Sequence, residues 1–182
     1  MRGTMRLICT LLCMLTASFL RADNVALELA AKAGSSWAQY KLGSCYYAAE
    51  EGYPINYEKA AYWYEKAAEN GHDKAQLAIG IAYRRGQGVS RDIPLGLSWM
   101  RKAAAQGHGL AMYNIAVVYD EVYRDYEQAY AWALVGRDNG QDEQHRQFCK
   151  YKLEELDKKV SRSMAASARA RAKSIASALG LK

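Results

Sequence analysis

The chain has 182 residues, 51% of them apolar and only two of them proline, with 25 Lys+Arg against 19 Asp+Glu and a formal charge of +6. That length suits one domain with a sizeable core, and the apolar share excludes a disordered or collagen-like chain. The excess of positive charge raises nucleic acid or an anionic membrane as partners, so where the charges lie decides its meaning.

Arg2 and Arg6 precede an uncharged apolar run from Leu7 to Leu20, which is followed by Arg21-Ala22-Asp23. A short positive start, an apolar stretch and small residues near its end read as a secretory signal peptide over residues 1–22. The run of 14 residues is shorter than the ~20 that a bilayer-spanning helix needs. Cleavage after Ser18 and after Ala22 both fit the pattern; the competing reading is an uncleaved anchor. Neither Cys9 nor Cys13 follows the small residue that lipid attachment requires. The expectation is export, with the periplasm as destination. Cys45 and Cys149 then remain, too few for a disulfide framework, although export would permit one bridge. They lack the CxxC spacing of a zinc or redox site.

Residues 23–33 read as a capping helix whose end, Ala30-Ala31-Lys32-Ala33-Gly34, reappears inside the units that follow. The stretch AQYKLGSCYY from Ala38 returns as AQLAIGIAYR from Ala75 and AMYNIAVVYD from Ala111, at offsets of 37 and 36 residues. A second block, KAAYWYEKAAENG ending at Gly71, returns as LGLSWMRKAAAQG ending at Gly107 and, more weakly, as QAYAWALVGRDNG ending at Gly140. Trp63 and Trp99 are 36 apart and Trp132 follows after 33, so the third copy has lost three residues between its blocks. These copies define repeats at 34–71, 72–107 and 108–140.

Each block carries a helical stripe. In the first it is Ala38, Leu42, Gly43 and Tyr46, then Ala75, Ile79, Gly80 and Tyr83, then Ala111, Ile115, Ala116 and Tyr119. In the second it is Ala60, Trp63 and Ala67, with Gly96, Trp99 and Ala103, and Ala129, Trp132 and Gly136, as counterparts. Small residues facing large aromatics predict close helix approach. Asn56, Asp92 and Asp125 stand where an N-cap belongs, Pro94 falls in a first turn, and Gly71, Gly107 and Gly140 follow the second helices. After Gly140, residues 141–182 place Phe148, Cys149, Leu153 and Leu156 on one helix. A second helix carries Met164, Ala168, Ala172, Ile175 and Leu179. They read as C-terminal capping helices of a solenoid.

The pattern A-x-x-x-L-G-x-x-Y, then G-x-G-V-x-x-D, then K-A-x-x-W-x-x-K-A-A-x-x-G resembles the Sel-one-like repeats, relatives of the tetratricopeptide repeat. Residues 75–107 match it nearly throughout, with Gly96 in place of alanine. Residues 38–71 lack the first loop glycine, and 111–140 lack the loop and the Lys-Ala-Ala signature. The resemblance implies an all-α fold, a right-handed α/α superhelical solenoid with capping helices, and a scaffold without catalysis or cofactor. Exported bacterial members include regulators of periplasmic sensors, host-contact factors and immunity proteins beside secreted phospholipase toxins. A toxin, sensor or envelope protein is the partner so implied. A cysteine-rich secreted branch, with two cysteines paired in each repeat, has been associated with β-lactams and gives the enzyme alternative. Here Cys45 is alone in its repeat, with Ala82 and Val118 as counterparts, and the match to that branch is poor.

The first helices of such solenoids line the concave side. Beside the packed stripe, the candidate groove residues are Trp37, Lys41, Ser44 and Ala48, then Lys74, Ala78, Ile81 and Arg85, then Leu110, Asn114, Val117 and Glu121. Their mixture of apolar and charged types suits a protein segment. His72 and His108 hold the same repeat position, too far apart for one ion, and His145 has no evident partner in sequence. Nucleophile, phosphate-loop and HExxH motifs are lacking. The acidic pairs Glu50-Glu51 and Asp120-Glu121 read as solvated helix ends.

The positive charge is unevenly placed along the chain. Without residues 1–22 the chain keeps 22 basic against 19 acidic side chains. Residues 158–182 alone hold seven basic and no acidic residues, leaving residues 23–157 at a net −4. A nucleic-acid role is disfavoured. The basic last helix reads as a solvated capping face, with weak membrane-surface contact as the second reading.

Overall fold

The computed structural model describes residues 24–181; the expected signal segment lies outside them. The described residues are helical and form a helical repeat solenoid without strands. Residues 24–32 form α1. Then follow α2 (Ser36–Ala48), α3 (Tyr57–Glu69), α4 (Asp73–Arg85), α5 (Ile93–Ala105), α6 (Gly109–Val118), a π-helical turn (Tyr119–Tyr123), α7 (Tyr126–Asn139), α8 (Glu143–Leu156) and α9 (Arg162–Ala178).

Three antiparallel hairpins, α2–α3, α4–α5 and α6–α7, are joined by the contacts of α3 with α4 and of α5 with α6. Helix α8 covers α6 and α7, and α9 covers α7. Asn56, Asp92 and Asp125 each accept a backbone N–H through the side chain, from Lys59, Leu95 and Gln128. Each also donates its own N–H, at 2.9 Å, to the carbonyl of the repeat tyrosine, Tyr46, Tyr83 or Tyr119. The one residue therefore starts the second helix and ties it to the first.

The small stripe does what its size allows. A Cβ on Gly80 would lie 2.9 Å from the Gly96 carbonyl oxygen, and one on Gly96 would lie 2.7 Å from that of Gly80. Helices α4 and α5 thus cross backbone on backbone. Gly43 makes the same room for Tyr64, and Gly136 for Cys149. Cys45 and Cys149 are buried free thiols, Cys45 in the cluster of α1 and α2 and Cys149 against Gly136 of α7, so the bridge that export would permit does not form. Gly71 and Gly107 end their helices with left-handed backbone, but Gly140 has φ −62° and is needed for space, standing against Gly136 and Gly109.

Candidate functional site

The expected groove residues divide into three groups. Trp37 (64% exposed), Ala48, Lys74, Arg85 and Glu121 reach solvent, and Ala78, Ile81 and Leu110 are half-buried. Lys41 and Ser44 are occupied within repeat 1. The ammonium of Lys41 pairs with Glu51 at 2.9 Å and Glu50 at 3.5 Å, while Ser44 Oγ donates to Tyr40 O and accepts from the Tyr64 hydroxyl. Asn114 and Val117 differ from expectation: both are buried, and the Asn114 amide donates to Leu110 O at 2.8 Å. An amide or valine on a first helix looks the same in sequence whether neighbouring helices cover it or not.

Ala78, Ile81 and Arg85 meet in a cleft of about 200 Å³ where α2, α3 and α4 converge. Its remaining walls come from residues that sequence reasoning missed, Tyr47 at the end of α2 and Tyr57, Ala60 and Tyr64 on α3. Tyr47 and Tyr57 pack edge to face, 5.5 Å between ring centres, and both stay exposed. Burial pushes the Tyr64 hydroxyl up to about 12, so it remains a neutral donor to Ser44. The tyrosine-rich run around the loop was the available signal, but only the fold puts a second-helix residue beside the first helices.

The loop Gly86-Gln87-Gly88-Val89 closes one end of the cleft. Gly88 has φ 74°, and a Cβ there would lie 1.9 Å from the Tyr57 carbonyl oxygen. Only glycine lets this loop rest on the first turn of α3. Gln87 is thereby placed at the cleft with its side-chain oxygen buried and without a hydrogen-bond partner. An acceptor in that state invites an N–H.

Two polar clusters differ from the sequence reading. His145 does have a partner: its ring stacks on His108 at 5.5 Å and 17°, and His108 Nε2 lies 3.9 Å from an Asp73 carboxylate oxygen. His72 caps α4 by accepting from Ala75 N through Nδ1 and stacks on Tyr40. Burial lowers the pKa of both His72 and His108, and at His108 the attraction of Asp73 opposes that shift while His145 adds to it. Among the described residues, no three His, Cys, Asp or Glu side chains are grouped to hold a metal.

Asp120 is not a solvated helix end. It is 1% exposed and accepts from Lys152, itself 5% exposed, at 2.5 Å and from Lys159 at 2.9 Å. Burial alone would raise its pKa, but the two ammonium groups outweigh burial and hold it below the ordinary carboxylate value. Glu155 bridges both lysines. Glu121 and the pair Glu50-Glu51 are exposed, as expected. Part of the basic tail is therefore used inside the molecule: Lys159 serves Asp120, and Arg171 pairs with Glu127 at 2.9 Å. Arg162, Arg169 and Lys173 stay exposed. No helix among the described residues is long and apolar enough to cross a membrane.

Comparison with known proteins agrees with this geometry. The chain is similar to the crystal structure of c5321, a protective antigen of uropathogenic Escherichia coli strains displaying an SLR fold. That likeness has a TM-score of 0.60 and 25% identity over 83% of this chain, which spans 40% of that one. It is also similar to a Sel1 repeat protein from Oxalobacter formigenes, with a TM-score of 0.58 and 30% identity over 73% of this chain and 98% of that one. The Sel1 repeat model matches residues 38–72, 73–108 and 109–140, a family of protein–protein interaction scaffolds that are generally non-catalytic. With three such repeats over more than half its length, the chain belongs to the Sel1 repeat family.

Proposed function

We propose that this chain is an exported, non-catalytic scaffold that binds one partner protein through the face around α2, α4 and the start of α3. The observation that carries this reading is the distribution of exposed apolar side chains. Of the eleven large hydrophobic residues exposed among the described residues, seven fall between Val25 and Tyr62, including Trp37, Tyr47 and Tyr57. They lie on α1, α2, α3 and the loop between α2 and α3, where Tyr47 and Tyr57 touch, and exposed aromatic side chains are typical of interfaces.

In its sharpest form the proposal makes the chain an immunity protein that holds a secreted toxin such as a phospholipase effector; its other form makes it a regulator of a periplasmic sensor or envelope protein. Cross-linking in the native periplasm followed by affinity purification separates these. A single stoichiometric toxin supports immunity, a sensor or envelope protein supports regulation, and the absence of any stoichiometric partner would overturn the scaffold reading. N-terminal sequencing of the same preparation tests export, with Phe19 or Asp23 expected as the first residue.

A further inference from the structure

The repeats supply an internal comparison for the cleft between α2, α3 and α4. At the next junction, between α4, α5 and α6, Leu97 replaces Ala61, Asn114 replaces Ala78 and Val118 replaces Ala82. Those three larger side chains are buried at the second junction. At the first junction the alanines leave room, and about 200 Å³ stays open beneath the Tyr47–Tyr57 pair. That volume is of the order of one large side chain. Its alanine and isoleucine floor and tyrosine walls favour a flat ring over a branched or charged group.

The rim carries two polar instructions. Gln87 lines the cleft with its side-chain oxygen buried and unpaired, and a rotation of that amide toward the mouth would let it accept an N–H from the backbone of an extended segment. Arg85 is exposed, follows Arg84 and has no carboxylate within ion-pair distance among the described residues, whereas the matching position one repeat later is Glu121. The charge at this position reverses between the first junction and the second. An arginine at a cleft mouth selects a carboxylate through charge and paired hydrogen bonds.

We infer that the cleft between α2, α3 and α4 receives one aromatic side chain of an extended partner segment, with an acidic residue beside it that pairs with Arg85. This rests on the partner-binding reading above and names the chemistry of the partner at that site.

The probe is a fluorescein-labelled, end-blocked peptide Gly-Glu-Phe-Glu-Gly, measured by polarisation against the purified chain beside versions carrying Lys-Phe-Lys or Glu-Ala-Glu. The acidic aromatic peptide is expected to bind about tenfold more tightly than either. Ala78→Asn, which brings in the repeat 3 side chain, is expected to weaken it by more than about tenfold. Arg85→Glu, an exposed change that leaves the core intact, is expected to turn the preference toward Lys-Phe-Lys. Equal binding of all three peptides, or an acidic preference that survives Arg85→Glu, overturns the inference. Circular dichroism of each variant separates lost binding from lost fold. Should the periplasmic partner be captured equally by wild type, Ala78→Asn and Arg85→Glu, the scaffold reading stands and the cleft assignment falls.

Discussion

Repeats 2 and 3 perform the same closure with connections of different length. In both, the N-cap aspartate of the second helix donates its backbone N–H to the repeat tyrosine, from Asp92 to Tyr83 and from Asp125 to Tyr119. Repeat 2 spans that bond with a glycine loop, in which α4 stops at Gly86 in left-handed backbone. Repeat 3 has three fewer residues, and it closes by widening the end of α6 into the π turn Tyr119–Tyr123 and turning back at Arg124, φ 56°. Asp120 lies in that turn, buried, while its repeat 2 counterpart Arg84 is half-buried. A shortened loop was thus accommodated by a wider helical turn, and the capping helix α8 and the segment after it supply the two lysines that make the buried carboxylate tolerable.

Either closure is open to disruption by a single substitution. Asp120→Ala has the largest expected effect, because it leaves Lys152 buried without its main partner. A loss of about 3–5 kcal/mol is expected in denaturant unfolding, and a loss below about 1 would show that Lys152 finds water instead. In repeat 2, Gly88→Ala combines left-handed strain with a Cβ driven into the Tyr57 carbonyl, so about 3 kcal/mol is expected, together with displacement of Gln87 from the cleft.

Acid should act next, in two stages. His72 and His108 have folded pKa values below the ordinary 6.5, so they favour the folded state fully above that pH and progressively less as pH falls below it. Asp120, also lowered, withdraws its contribution only as pH falls below about 4. Thermal unfolding from pH 8 to pH 3 should show both declines, and His108→Gln should reduce only the first. The smallest effect is favourable: Arg124→Gly relieves the left-handed backbone of repeat 3 and should stabilise by about 1 kcal/mol, whereas Arg84→Gly, in helical backbone, should destabilise by a similar amount.

Much of this was legible in the chain. Repeat spacing, the small stripe, the N-caps at Asn56, Asp92 and Asp125 and the capping helices follow from local rules, since a helix start or a glycine contact depends on residues a few positions away. Ala49 shows the limit. It stands where repeat 2 has Gly86, yet it takes the same left-handed backbone at φ 57°, because the surrounding hairpin holds the turn that its own residue type disfavours.

The site was legible only in part. Trp37, Ala78, Ile81 and Arg85 are accessible or half-accessible as their helix face implies, but Asn114 and Val117 are not. Which first-helix residues are covered depends on the volume of side chains on neighbouring helices, a quantity that no single repeat contains. Local chain rules suffice for the repeat, its helices and its family. The open cleft between α2, α3 and α4, the inward turn of Asp120 and the stacking of His145 on His108 emerge only in the folded chain. Each of those outcomes is set by packing between residues distant in the chain, where volume and desolvation outweigh local preference.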